Sequence, residues 1–147
     1  NNLILLIFKS VMTLEQDVSW NEIELLVEQL CKKILKLPRT FSSITTLSRG
    51  GFVPSRLVAD YLGIETIHVD KRKISSDSLF VDDIFDTGTV FEKVISKTDK
   101  PSKLVFATLF ARRGKKYPAN LVYAKKTNSD AYVIFPWDKL EFERSKN

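Results

Sequence analysis

The sequence contains one cysteine, one histidine and one methionine in 147 residues, with only five glycines and five prolines. A single cysteine, Cys31, excludes a disulfide framework and a cysteine zinc cluster. A reducing, cytoplasmic compartment is the expectation that follows. Cys31 lies close to the apolar stripe of a helical pattern and reads as a packing residue rather than a reactive thiol. His68 alternates with Ile67 and Val69, which fits a half-buried strand position better than a catalytic one. No apolar run is long enough to span a bilayer; the run over residues 3–8 is too short. That run also lacks a basic leader and a small-residue cleavage site, so it is not read as a signal peptide. Residues 1–11 read as an added strand, or as an extension upstream of an alternative start at Met12. Extreme charge is absent as well. A net charge of +5 suits a pocket for a polyanionic small molecule at least as well as nucleic acid. There is no internal repeat, no low-complexity segment and no linker. The composition, 44% hydrophobic and 28% charged, is that of a globular chain, and 147 residues suffice for one domain with a real core.

What is present is organised around residues 79–91. Leu79, Phe80 and Val81 read as a buried strand. Two carboxylates follow, Asp82 and Asp83, and then the small polar turn Asp86-Thr87-Gly88-Thr89 before an apolar helical segment. A strand, a glycine-containing turn and a helix start make an anion site, because the turn exposes backbone N–H groups and the helix adds its positive end. Open α/β sheets bind ligands at the C-terminal ends of their strands, where this acidic pair falls. One ligand that wants both features is a phosphorylated sugar: phosphate in the turn, hydroxyls or their metal ion on the carboxylates.

The rest of the chain supports this plan. Ser19 and Glu22 fit a capping box, and Ile23, Leu26, Val27, Leu30, Ile34 and Leu35 recur at helical spacing until Pro38. Residues 43–48 read as a strand that enters Arg49-Gly50-Gly51. That loop pairs a guanidinium with bare amides, the equipment for pyrophosphate. A helix from Pro54 to Gly63 follows. Residues 64–70 form the next strand, and residues 71–78 a short polar, basic connection. Residues 90–95 read as helix and residues 104–110 as a buried strand, emptying into a basic loop that starts at Arg112. Residues 121–124 are a weak strand, residues 125–130 a polar turn, residues 131–135 a short strand. Residues 139–147 form a charged tail expected to fray. The alternation implies one α/β domain over residues 1–147: a mostly parallel twisted sheet with helices on both faces.

The order of strand, Asp82-Asp83 and Asp86-Thr87-Gly88-Thr89 resembles the phosphoribosyl-pyrophosphate motif of the type I phosphoribosyltransferases. Ser48-Arg49-Gly50-Gly51-Phe52-Val53-Pro54 resembles the pyrophosphate loop of the xanthine–guanine group. The resemblance covers the chain from about Val18 onward. It implies a small hood built from the chain ends. It implies transfer of ribose 5-phosphate from phosphoribosyl pyrophosphate to a 6-oxopurine (xanthine, guanine or hypoxanthine) in purine salvage, with Mg²⁺ as cofactor. Asp86, Thr87, Gly88 and Thr89 would take the 5′-phosphate, and Asp82 and Asp83 the ribose hydroxyls or the metal, directly or through water. Arg49, Gly50 and Gly51 would take the pyrophosphate, and Asp86 would be the acid or base at the purine. Arg112 stands where the family's lysine meets O6, Tyr132 where an aromatic stacks on the base, and Val133 where a backbone contacts the ring. The family's cis Arg–Gly peptide implies a cis bond from Arg49 to Gly50. A homodimer or higher oligomer is implied too, with no nucleic-acid or membrane partner.

Two departures stand out. Val90 replaces the last hydroxyl residue of the phosphate loop, and the connection over residues 71–78, where many relatives carry a closing loop, is short. These motivate an alternative, a phosphoribosyl-pyrophosphate- or nucleotide-binding regulator with little turnover. Further alternatives are a phosphoribosyltransferase for another base, such as adenine or a pyrimidine, and a nucleic-acid-binding module using the Lys and Arg clusters.

Overall fold

The computed structural model describes residues 2–3 and 15–146. The apolar run over residues 3–8, apart from Leu3, and the alternative start at Met12 lie outside the described residues.

Five strands form one sheet: β2 (Ser43–Thr46), β3 (Thr66–Val69), β4 (Leu79–Phe85), β5 (Val105–Ala111) and β6 (Leu121–Lys126). Their order is β3-β2-β4-β5-β6, and every pairing is parallel. Parallel strands must be connected by crossovers, and the crossovers cover both faces. Helix α1 (Trp20–Leu35) starts at Ser19, whose hydroxyl accepts from the Glu22 N–H at 3.2 Å. Its stripe of Ile23, Leu26, Val27, Leu30 and Ile34 joins Val58 and Ala59 of α2 (Phe52–Leu62) on one sheet face, over Ile44, Leu79, Val81, Ala107 and Leu109. Cys31 is buried in this layer, and burial pushes its thiol pKa up to about 12, so it packs and does not react. Helix α3 (Thr89–Ser96) covers the other face through Phe91 and Val94, against Phe80 and Phe106. The expected α/β architecture is borne out.

β4 sits at the centre, and the chain turns in opposite directions on its two sides. β2 leads through α2 to the edge strand β3, whereas β4 leads through α3 to β5. The loops after β2 and β4 therefore face each other across a switch point of the sheet, where such sheets open a crevice. Above it lies the hood. β1 (Glu15–Asp17) pairs in parallel with β7 (Tyr132–Ile134), bringing the two ends of the described chain together.

Three expectations need correction. The tail does not fray from Lys139: it forms α4 (Lys139–Ser145), started by the Phe142 N–H on the Asp138 carbonyl at 2.9 Å and docked through the Phe142 ring. The connection after β3, read as polar and basic, carries a buried apolar anchor. Ile74 is buried in the α3 layer, its N–H donating to Lys97 at 2.9 Å and its carbonyl accepting from Asp99 at 3.1 Å. β6 runs on to Lys126, because Lys125 and Lys126 pair by backbone with Phe110 and Ala111 while their side chains stay exposed.

Candidate active site

Asp82 and Asp83 lie in the second half of β4, before the buried Phe85. Asp82 is buried and Asp83 half-buried. Each carboxylate accepts one backbone N–H: Asp82 Oδ1 that of Asp83 at 2.9 Å, Asp83 Oδ1 that of Ile84 at 2.8 Å. Among the described residues neither has an ion-pair partner. Burial raises both pKa values, and Asp83 rises further because it also faces the Asp82 charge. The pair is thus held in a form that a cation or a hydroxyl-rich ligand relieves.

The turn Asp86-Thr87-Gly88-Thr89 follows directly. Gly88 has φ 88°, a left-handed conformation that glycine adopts without a Cβ penalty, and it caps the N-terminus of α3. The Thr87 and Thr89 hydroxyls lie 2.9 Å apart on this turn. Val90, next to this turn, is an apolar residue 42% exposed.

The loop after β2 meets β4 edge-on. A Cβ on Gly50 would lie 2.7 Å from Asp83 Oδ2, and one on Gly51 would strike the Thr46 hydroxyl and come within 3.0 Å of the Val81 carbonyl. Both glycines are therefore demanded by close approach, and the Arg49 loop is pressed onto the acidic pair. Asp70, at the end of β3, holds the loop from the other side. Its carboxylate accepts from the Ser48 N–H at 2.9 Å and the Ser48 hydroxyl at 2.6 Å, which lowers its pKa. The cis peptide lies between Ser48 and Arg49, one residue before the position implied by the family resemblance.

Arg112 occupies the end of β5 as expected, but it is 7% exposed and already engaged. Its Nε donates to Asp86 Oδ1 at 3.0 Å and its Nη2 to Asp86 Oδ2 at 3.4 Å. Its Nη1 donates to the Ser129 and Ala131 carbonyls at 3.1 and 2.7 Å. Among the described residues, one of its five N–H groups has no partner. Arg112 is thus a brace joining the Asp86 turn to the segment before β7, and Asp86 is an ion-pair partner as well as a loop residue. Tyr132 is 62% exposed, and Val133 is buried in the hood beside Gln16. His68 is half-buried on β3, outside this constellation.

Sequence reading missed three residues. Lys115 and Asp130 line a 310 Å³ cavity with Asp86, Arg112 and Tyr132. Neither has an ion-pair partner among the described residues. Asp138 lines a second cavity, of about 590 Å³, with Ser48, Arg49 and Gly50. Burial, then the Asp83 charge, then Glu141 raise the Asp138 pKa, while Arg49 opposes them. Asp138 was legible only as part of the Phe-Pro-Trp-Asp segment. Lys115 was hidden in a basic run whose plain reading is a solvated face.

A parallel sheet of this order, with two loops meeting at the switch point and a hood from the chain ends, is the type I phosphoribosyltransferase fold. No family model matches the chain. In sequence the chain is similar to a xanthine-guanine phosphoribosyltransferase of Chromohalobacter salexigens, 27% identical over 139 residues and 82% of each chain. It is also similar to the enzyme of that name from Desulfotalea psychrophila, 26% identical over 140 residues, 82% of this chain and 84% of the relative. Among solved structures, the Helicobacter pylori xanthine-guanine-hypoxanthine phosphoribosyltransferase superimposes with a TM-score of 0.70, at 17% identity, over 89% of this chain and 99% of that one. The Pyrococcus horikoshii purine phosphoribosyltransferase gives 0.66, at 20% identity, over 84% and 93%. The resemblance drawn from the motifs is borne out, and the comparisons point to the purine phosphoribosyltransferases.

Proposed function

We propose that the chain transfers ribose 5-phosphate from phosphoribosyl pyrophosphate to a 6-oxopurine, releasing pyrophosphate, in purine salvage. The observation that carries this reading is the contact of two anion loops at one acidic pair: Gly50 of the Arg49 loop against Asp83, four residues before the Thr87-Gly88-Thr89 turn. A ligand with a phosphate at each end of a ribose matches that spacing of functions. Thr87, Gly88 and Thr89 bind the 5′-phosphate through N–H groups and hydroxyls at the start of α3, with Asp86 fixing the turn. Arg49 and the amides of Gly50 and Gly51 bind the pyrophosphate. Asp82 and Asp83 accept from the ribose hydroxyls.

Mg²⁺ fits this donor set in a limited way. Two carboxylates whose burial opposes ionisation suit a cation, yet among the described residues no group of three ligating side chains forms a cage. A hard cation that keeps water and substrate oxygens needs no more than Asp82 and Asp83, directly or through water. When bound, it supplies charge neutralisation at the leaving pyrophosphate.

The base lies against Tyr132, with the Val133 backbone at its edge. Two groups favour a 6-oxo base there: the one free N–H of Arg112 and the Lys115 ammonium, both donors only. Asp86, paired with Arg112 at 3.0 Å, is placed to exchange a proton with the imidazole part of the purine. We take the active form to be a cytoplasmic homodimer or higher oligomer. No helix among the described residues is long and apolar enough to cross a membrane. The test is pyrophosphate release with Mg²⁺, phosphoribosyl pyrophosphate and each base, on the wild type and an Asp82→Asn/Asp83→Asn variant. Release with a 6-oxopurine, lost in the variant, supports the reading; equal release from both proteins refutes it.

A nucleotide-binding regulator is the second reading, favoured by the exposed Val90 in the phosphate loop. It differs in one outcome: phosphoribosyl pyrophosphate binds and no base yields a product.

A further inference from the structure

Helix α4 lies across the two residues that the reading above assigns to substrate, and the inference rests on that reading. The Glu141 carboxylate sits 3.4 Å from the Arg49 guanidinium. The Phe142 ring stacks on Tyr132, with centroids 5.6 Å apart and planes 21° from parallel. Each contact has the chemistry of a substrate contact. An anion rests on the pyrophosphate arginine, and a flat ring rests on the base-stacking tyrosine. We propose that α4 is an intrasteric plug, which substrate must displace from Arg49 and Tyr132 before it can bind productively.

The attachment of α4 fits a displaceable element. None of its residues is buried. Beyond the two contacts named, its end reaches the rest of the protein through Lys146, which lies 3.7 Å from Glu15. Exposed ion pairs of this kind bind weakly. The connection after β3, by contrast, is tied down through Ile74 and Asp99, so it is not the element that moves. The cavity walled by α4, Asp138 and the Arg49 loop has about 590 Å³ of room, but its arginine faces it already paired. A pyrophosphate arriving at Arg49 meets the Glu141 carboxylate, and two anions cannot share one exposed guanidinium without repulsion. Displacing α4 lowers apparent affinity by the fraction of molecules in which the site is free.

The test separates a plug from a simple charge effect. Glu141→Gln removes a negative charge near the pyrophosphate and would tighten phosphoribosyl pyrophosphate for that reason alone. Phe142→Ala removes no charge and does not touch Arg49. A plug anchored by the ring predicts that Phe142→Ala tightens Mg²⁺–phosphoribosyl pyrophosphate by roughly three- to tenfold in calorimetry, since the lost ring pair unlatches the helix. In the wild type, adding that ligand should speed hydrogen exchange of the α4 amides. Unchanged or weaker binding by Phe142→Ala overturns the plug, as does slower α4 exchange on binding, which marks a closing lid instead. Phosphoribosyl pyrophosphate bound by neither protein removes the site reading and the plug together. Binding by both at equal affinity removes the plug alone.

Discussion

Replacing Asp83 by Asn should stabilise the ligand-free protein while disabling the site. The Asp83 carboxylate is half-buried, faces Asp82, touches the Arg49 loop at Gly50 and has no ion-pair partner among the described residues. Two unit charges about 4 Å apart repel by roughly 4 kcal/mol at an effective dielectric of 20. Retaining a proton lets the pair avoid part of this, so the relief from a neutral amide is about 1–3 kcal/mol. The amide oxygen can keep the Ile84 N–H bond, and the new amide N–H₂ can donate to the Asp82 carboxylate beside it. Because the folded pKa is raised, the native state binds more protons than the unfolded chain between the ordinary carboxylate value and the raised one. Stability then falls as pH rises through that window and stays low above it. Urea unfolding without ligand should therefore show the gain in full at high pH and show it shrinking as pH falls toward about 4. Phosphoribosyl pyrophosphate affinity should fall by roughly ten- to a hundredfold, the loss of one charged hydrogen bond. A variant that is less stable than the wild type at high pH, or that binds the ligand equally well, refutes this account of the acidic pair.

Further outcomes follow from the same geometry. Gly51→Ala places a methyl on the Thr46 hydroxyl, which itself donates to the Val81 carbonyl at 2.7 Å; it should cost about 1–3 kcal/mol in urea unfolding. Arg112→Leu strands Asp86 and the Ser129 and Ala131 carbonyls, so it should lower stability by about 2–4 kcal/mol as well as activity. Lys115→Met should raise KM for the base several-fold and leave that for phosphoribosyl pyrophosphate unchanged, because Lys115 lines the Tyr132 cavity and not those at Arg49 or Thr87. Val90→Thr should lower KM for phosphoribosyl pyrophosphate by roughly two- to tenfold, the net value of one hydrogen bond, with the base KM unmoved.

The strand–loop–helix units were legible because their signals are local. Leu79 to Val81 and the stretch ending at Phe110 are apolar enough to be buried strands, and Gly50, Gly51 and Gly88 mark loops where backbone must come close or turn left-handed. What was not legible depends on partners distant in sequence. Arg112 looks like a free donor at a strand end until Asp86 and the Ser129 and Ala131 carbonyls close around it. Ile74 looks like one apolar residue in a polar connection until α3 covers it. Helix α4 has two apolar residues, Leu140 and Phe142, among charges, and it docks by the single ring that meets Tyr132. Asp70 gave no sign that it would grip Ser48, because a strand-end carboxylate is ordinarily solvated.

The most direct test of the central claim is product analysis. The purified protein is incubated with Mg²⁺, phosphoribosyl pyrophosphate and, separately, guanine, xanthine, hypoxanthine and adenine, and the nucleotides are separated. The account predicts a nucleoside 5′-monophosphate and an equal amount of pyrophosphate from at least one 6-oxopurine, and none from adenine. Intact phosphoribosyl pyrophosphate with every 6-oxopurine, or product from adenine alone, contradicts it.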